Sequence, residues 1–127
     1  MAAIICDIDD TLIRAGQYGI DKTIEWLKQR AGNYKIILVT GRPESTRKET
    51  VRVLRAAGVR YNRLVMNTGS TRESNKFKLE AGKALKSAEN VVLAIDNDAG
   101  ARNSYRKAGI KTVSPSQLTE NMLKFTF

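Results

Sequence analysis

The run Asp7-Ile8-Asp9-Asp10-Thr11 directly follows the apolar stretch Ala3-Ile4-Ile5-Cys6. Carboxylates crowded this closely raise one another's pKa unless something compensates their charge. A hard divalent cation such as Mg²⁺ does so, because it takes carboxylate and carbonyl oxygens and keeps several waters. A lone Asp-x-Asp is more often a polar turn or a helix cap; its place at the end of a buried strand argues for chemistry. Farther on, Thr40-Gly41-Arg42 puts a hydroxyl and a freed backbone N–H beside a glycine. That makes a small anion cradle, to which the N-terminus of the following helix is expected to add positive potential. Asp96-Asn97-Asp98 forms a second acidic cluster. Read singly, each of the last two is an ordinary turn; two acidic strand ends facing each other form a divalent-metal site.

The rest of the composition narrows the chemistry. The 127 residues contain no histidine, which removes histidine metal sites, the Ser-His-Asp triad and the commonest general base. Carboxylates, hydroxyls, lysines, arginines and a cation remain. Cys6 is the single cysteine, so no internal disulfide forms, as expected of a reducing compartment. No apolar run is long enough for a bilayer, and the start Ala3–Cys6 reads as a strand rather than a leader, so a cytoplasmic protein is expected. The net charge of +9, from 22 Lys and Arg against 13 Asp and Glu, raises the local concentration of polyanions such as nucleic acid. Simple solubility is the competing explanation.

The elements that must position these residues follow from hydropathy. Short β-rich runs at Ala3–Asp7, Lys35–Thr40, Arg63–Met66, Val91–Ile95 and Ile110–Val113, most of them continuously apolar, read as strands covered on both faces. Amphipathic stretches fill the gaps. Ile20, Ile24, Leu27 and Ala31 share one face, with Asp21 near the start and Gly32 as a stop. Thr46–Ala57 turns Val51 and Leu54 inward, ending at Gly58. Phe77, Ala81, Ala84, Leu85 and Ala88 form a third stripe; Ala101, Tyr105 and Ala108 form a fourth before Gly109. A last short helix is expected after Ser114-Pro115-Ser116. This alternation predicts one domain over 1–127, a doubly wound three-layer α/β/α fold on a mainly parallel five-stranded sheet. Its site belongs at the carboxyl ends of the strands, where the strand order reverses.

Taken in order, Asp7-x-Asp9-x-Thr11, Thr40, a helical lysine and the acids from Asp96 resemble the haloacid dehalogenase superfamily of phosphotransferases over essentially the whole chain. The resemblance implies that Asp7 is a nucleophile forming an aspartyl-phosphate. Asp9 would be the acid and base, with Asp7, the Asp9 carbonyl and Asp96 holding Mg²⁺. Thr40 and the Gly41 amide would grip phosphate, with Thr11 and Arg42 also on the substrate side. Lys78 is preferred as the site lysine, because Phe77-Lys78-Leu79-Glu80 resembles that element in relatives acting on polynucleotides; Lys76 is the alternative. Relatives often carry Asp-Asp where this chain has Asp96-Asn97-Asp98, so Asn97 and Asp98 are secondary metal candidates.

Leu12–Tyr34 has room for a short flap and one helix, and Pro43–Lys76 for a helix, a strand and a loop, so no cap domain is expected. An uncapped site suits a phosphate at the end of a large molecule. Lys48, Arg52 and Arg55 read as a solvated helix face. Arg42, Arg72 and Lys76 fall in loops expected at the catalytic rim, the polar stretch Asn67–Asn75 among them. Val91–Asp96, Tyr105–Gly109 and Thr71-Arg72 resemble the phosphatase half of bacteriophage polynucleotide kinase/phosphatases, which implies action on 3′-phosphates of nucleic-acid ends. No Gly-x-x-x-x-Gly-Lys-Ser/Thr occurs, so a stand-alone phosphatase is expected. The rivals are a nucleotidase of the same chemistry, a phospho-acceptor signalling module, and a basic nucleic-acid binder without turnover. The second is disfavoured because the third strand ends in Met66-Asn67-Thr68 rather than an acceptor Asp.

Overall fold

A strand whose every residue is apolar must be covered on both faces, and the first strand, β1 (Ala2–Cys6), is. The computed structural model describes residues 1–123; the last positions of the domain expected over 1–127 lie outside the described residues. After β1 come a hairpin of β2 (Ile13–Arg14) and β3 (Tyr18–Gly19), then α1 (Asp21–Arg30), β4 (Lys35–Pro43) and α2 (Arg47–Ala56). β5 (Arg63–Asn67), α3 (Ser74–Ala88), β6 (Asn90–Ile95), α4 (Ala99–Lys107) and β7 (Thr112–Val113) complete the order.

The main sheet runs β5-β4-β1-β6-β7, and every pairing in it is parallel. The chain builds outward from β1 through β4 to β5, then returns to the other side of β1 with β6. Strand order therefore reverses around β1, whose carboxyl end carries Asp7. Side-chain alternation divides the core in two. Ile4 and Cys6 of β1 join Ile36 and Leu38 of β4 against Leu27 of α1 and Leu54 of α2. Ala3 and Ile5 join Ile37 and Val39 against Leu85 of α3 and Tyr105 of α4. Each layer is an apolar helix stripe laid on one face of the sheet.

The three-layer fold is as expected, with local differences. β4 runs past Thr40 to Pro43, and a 3-10 turn at Glu44–Thr46 intervenes before α2. On α2 the inward residues are Val53 and Leu54, with Val51 only half-buried; on α3, Ala84 and Ala88 are exposed while Lys78 and Gly82 are buried. The 67–75 stretch is not an open loop. Asn67 accepts from the Gly69 N–H and donates to the Ser70 carbonyl, and Ser70 caps a 3-10 turn at Thr71–Glu73 that leads into α3. The final helix is one 3-10 turn, Pro115–Gln117. No cap intervenes: β1 and β4 are joined by the hairpin and α1 alone, and β4 and α3 by α2, β5 and 3-10 turns. Among the described residues no helix is long and apolar enough to cross a membrane.

Candidate active site

The turn after β1 is wound around one carbonyl. The N–H groups of Thr11, Leu12 and Ile13 all donate to Ile8 O, at 3.2, 2.8 and 3.0 Å. Asp10 supports the turn with φ 61°, a left-handed conformation Asp tolerates better than most residues. Its own side chain is exposed. Asp7 stays buried at the strand tip, while Asp9 stands at the surface of an open cleft of about 340 Å³. Asp7, Asp9, Thr40, Gly41, Arg42, Lys78, Asp96 and Asp98, all singled out from sequence, line that cleft. So do Thr71, Ser74 and Asn75.

Lys78 comes up from the first turns of α3 and is 5% exposed. Its Nζ donates to Asp7 Oδ1 at 3.1 Å and to Asp96 Oδ2 at 2.7 Å. Burial alone would pull the Lys78 pKa down, but the two carboxylates outweigh it and leave the ammonium raised. Burial pushes the Asp7 carboxyl up to about 7; Lys78 opposes this and Asp96 adds to it. Lys76, two residues earlier, is exposed, 3.9 Å from Glu73 and outside the cleft. Helical phase explains the choice: 200° separates positions i and i+2, so only one of the two can face the sheet.

Thr11 and Arg42 are engaged with carboxylates. The Thr11 hydroxyl is fully buried; it accepts from the Asn97 N–H and donates to Asp7 Oδ2, both at 3.2 Å. Arg42 donates Nε to Asp9 Oδ2 and Nη2 to Asp9 Oδ1, each at 2.8 Å, and Nη1 to Thr50 Oγ1 at 3.2 Å. The hydrogen bonds to Asp9 raise the Arg42 pKa. Thr40 is buried beside the cleft, and its Oγ1 accepts from the Arg42 N–H. The cradle lacks the helix N-terminus expected there, since α2 starts only at Arg47. Gly41 has a different necessity: a Cβ on it would collide with Ser74 Oγ at the start of α3. Arg72 is exposed on the 3-10 turn beside the cleft.

The Asp96 cluster divides its labour. Asp96 Oδ1 accepts from the Asp98 N–H at 3.0 Å, and Arg102 donates to the Asp96 carbonyl at 2.9 Å. Asp98 caps α4, accepting from the Ala101 N–H at 2.8 Å, a contact of about 1 kcal/mol. Asn97 is exposed, but one end of its carboxamide reaches the residues of the first turn. The polar atom at the inner end of its carboxamide lies 2.9 Å from Asp7 Oδ2 and 3.0 Å from the Asp9 carbonyl oxygen. With nitrogen there, the amide donates to both. With oxygen there, the Asn97 oxygen stands from Asp7 Oδ2 and from the Asp9 carbonyl at the separation of adjacent ligands in a Mg²⁺ octahedron, roughly 3.0 Å for bonds near 2.1 Å. The site therefore fits a small divalent cation, which would reverse the amide. Among the described residues no three acidic, histidine or cysteine side chains cluster as metal ligands; here one carboxylate, a main-chain carbonyl and a carboxamide supply the oxygens.

Ser74 and Asn75 were not singled out from sequence as site residues. Their one signal was position, next to Lys76 and Lys78 at the start of a helix expected near the rim. A larger groove of about 830 Å³ runs along α2, but none of the acidic strand ends reaches it, and the chemistry belongs to the smaller cleft.

The fold is shared with two solved structures. A chain of the Pnkp1/Rnl/Hen1 RNA repair complex superposes with a TM-score of 0.73 and 23% identity, covering 89% of this chain and 42% of its own. A chain in a second structure of the Pnkp1/Rnl/Hen1 complex gives 0.74 and 26%, covering 89% and 46%. This chain thus spans less than half the length of either neighbour. No curated protein matches it in sequence. The sequence profile of the haloacid dehalogenase-like hydrolases matches residues 4–98, a stretch that holds Asp7, Asp9, Thr40, Lys78 and Asp96, and the chain belongs to that family.

Proposed function

We propose that this hydrolase is a Mg²⁺-dependent phosphomonoesterase that removes 3′-phosphate from nucleic-acid ends through an aspartyl-phosphate on Asp7. The observation that carries the reading is the division of the Asp7 carboxylate: Oδ1 meets Lys78, and Oδ2 faces Asn97. One oxygen is thus turned to the cation side, leaving the other to attack phosphorus. Asp7, the Asp9 carbonyl and Asn97 would hold the ion, with Asp96 acting on it indirectly by anchoring Lys78. Bound Mg²⁺ supplies positive charge against the phosphoryl oxygens.

The chain's own groups account for the remaining steps. Lys78 balances the negative charge gathering on the transferred group, while Thr40 and the Gly41 amide bind its oxygens. Asp9 gives its proton to the departing sugar oxygen and then takes one from the water that hydrolyses the acyl-phosphate. Arg42 sets the direction in which Asp9 points.

Several features support a nucleic-acid end as substrate. The cleft is uncapped, the net charge is +9, and Arg72 is exposed next in sequence to Thr71 of the cleft lining. The fold is also that of proteins in an RNA repair complex.

Phosphate release should be measured with and without Mg²⁺ on 3′- and 5′-phosphorylated oligonucleotides, mononucleotides and sugar phosphates. The 3′-phosphorylated oligonucleotide is expected to be hydrolysed fastest, only with the metal, and not by Asp7→Asn. An equal or higher rate on mononucleotides removes the nucleic-acid substrate; undiminished activity in Asp7→Asn removes the mechanism. For a single-stranded substrate, Arg72→Ala is expected to reduce the slope of log affinity against log salt by about 0.7.

A further inference from the structure

The hairpin that leaves the catalytic turn carries an aromatic side chain that the fold does not use. Leu12 and Ile13 at its base are fully buried. Asp10 N–H donates to Ile13 O at 2.7 Å, Ile20 N–H donates to Leu12 O at 2.7 Å, and Asp9 forms a bridge with Ile13. Its root is therefore fastened to the residues that bear Asp9. One step farther out, Arg14 pairs with Tyr18 across the two strands. Tyr18 is 53% exposed; besides Met1 at the N-terminus it is the only large hydrophobic side chain exposed among the described residues. The Arg14 guanidinium lies 5.6 Å from its ring centroid.

The tip is shaped with some strain. Gln17 N–H donates to Arg14 O at 3.2 Å, closing a turn whose central residues, Ala15 and Gly16, have φ 51° and 76°. Both central residues of a type I′ turn need positive φ, a conformation that alanine adopts only at a cost. The turn holds Arg14 and Tyr18 face to face instead of letting the hairpin fray. Among the described residues Arg14 pairs with no carboxylate.

From these observations we infer that Tyr18, with Arg14, is a stacking platform for a nucleobase of the strand whose 3′ end lies at Asp7. Arg14 stands five residues after Asp9, so even a fully extended chain places it within about 18 Å. That is within a few nucleotides of the reacting phosphate. A base has a flat π-face, which an exposed tyrosine ring receives without regard to sequence, and a guanidinium beside it adds charge attraction to the phosphodiester backbone. The exposure of Tyr18 then reflects a partner that arrives with the substrate. This inference rests on the nucleic-acid reading above and deepens it.

The test uses the Asp7→Asn protein, so that the complex outlives mixing, and a single-stranded oligonucleotide carrying 2-aminopurine near a 3′-phosphate. Stacking quenches the base's fluorescence. Quenching is expected with Asp7→Asn, loss of it when Tyr18→Ala is added, and its retention with Tyr18→Phe. In the catalytically intact chain, Tyr18→Ala should lower the ratio of kcat/KM on the 3′-phosphorylated oligonucleotide to kcat/KM on p-nitrophenyl phosphate by roughly 10- to 100-fold. If the ratio and the quenching survive Tyr18→Ala while the wild type prefers the oligonucleotide, the platform is wrong and the substrate reading stands. If the wild type neither binds nor prefers the oligonucleotide, both are overturned.

Discussion

Arg42 holds Asp9 by both carboxylate oxygens, Nε to Oδ2 and Nη2 to Oδ1, each at 2.8 Å. The pair joins the loop after β1 to the end of β4 and gives Asp9 a fixed direction at the mouth of the cleft. A bidentate fork is a property of guanidinium that an ammonium does not reproduce. Arg42→Lys should therefore lower kcat by about 10²-fold, the size of effect that follows from misplacing a reacting group, and leave KM nearly unchanged. Steady-state kinetics on one good substrate checks this. A loss mainly in KM would make Arg42 a substrate-binding residue, as its sequence position first indicates.

Among the described residues Lys78 is the sole cation paired with either the Asp7 or the Asp96 carboxylate. All three side chains are almost completely buried, so solvent screens little of their interaction. Lys78→Met strands two carboxylates, and removing one partner from a buried ion pair costs about 3–5 kcal/mol. Urea unfolding of the metal-free protein should show a loss of that order. Adding Asp96→Asn to Lys78→Met should restore part of it; no restoration would mean that lost packing, not stranded charge, explains the destabilisation.

The Asp7 carboxyl has a sign that metal removal exposes. Its folded pKa of about 7 lies above its ordinary 3.8, so between these values the folded chain binds more proton than the unfolded chain. The contribution of Asp7 to stability therefore falls as pH rises from about 4 to about 7, by at most about 1.4 kcal/mol per pH unit. Asp7→Asn removes that dependence. Unfolding of both proteins in chelator at pH 5 and pH 7 should show the wild type losing ground to the variant at the higher pH; a constant difference would contradict it.

Asn97 can donate to Asp7 and to the Asp9 carbonyl, or turn its oxygen to a cation. Mg²⁺ should raise the Tm of the wild type, and Asn97→Ala should weaken Mg²⁺ binding by about tenfold or more, within the range seen when groups supporting a metal are removed. Asn97→Asp should bind the ion more tightly and lose stability without it, because another carboxylate then faces Asp7. Calorimetric titration and thermal unfolding with and without Mg²⁺ read both effects. Identical Mg²⁺ affinity in the wild type and Asn97→Ala would place the ion elsewhere.

Much of this protein is written in local patterns. Continuous apolar runs mark strands buried on both faces, as in β1 and β4, because an uninterrupted run leaves neither face for water. Asp7 at a strand tip follows from the Asp-x-Asp placed directly after such a run, and the helix of Lys78 follows from its own periodicity. Other features depend on groups far apart in the chain. Asp9 and Arg42 are 33 positions apart and meet because β4 lies beside β1. Lys78 rather than Lys76 reaches the two aspartates because of how α3 is rotated on the sheet, the same rotation that exposes Ala84 and Ala88. The collision awaiting a Cβ on Gly41 comes from Ser74, on an element three steps later. Spacing along a chain governs geometry only over a few residues; which distant side chains share a cleft is decided by strand order and helix packing, and those arise when the whole core closes.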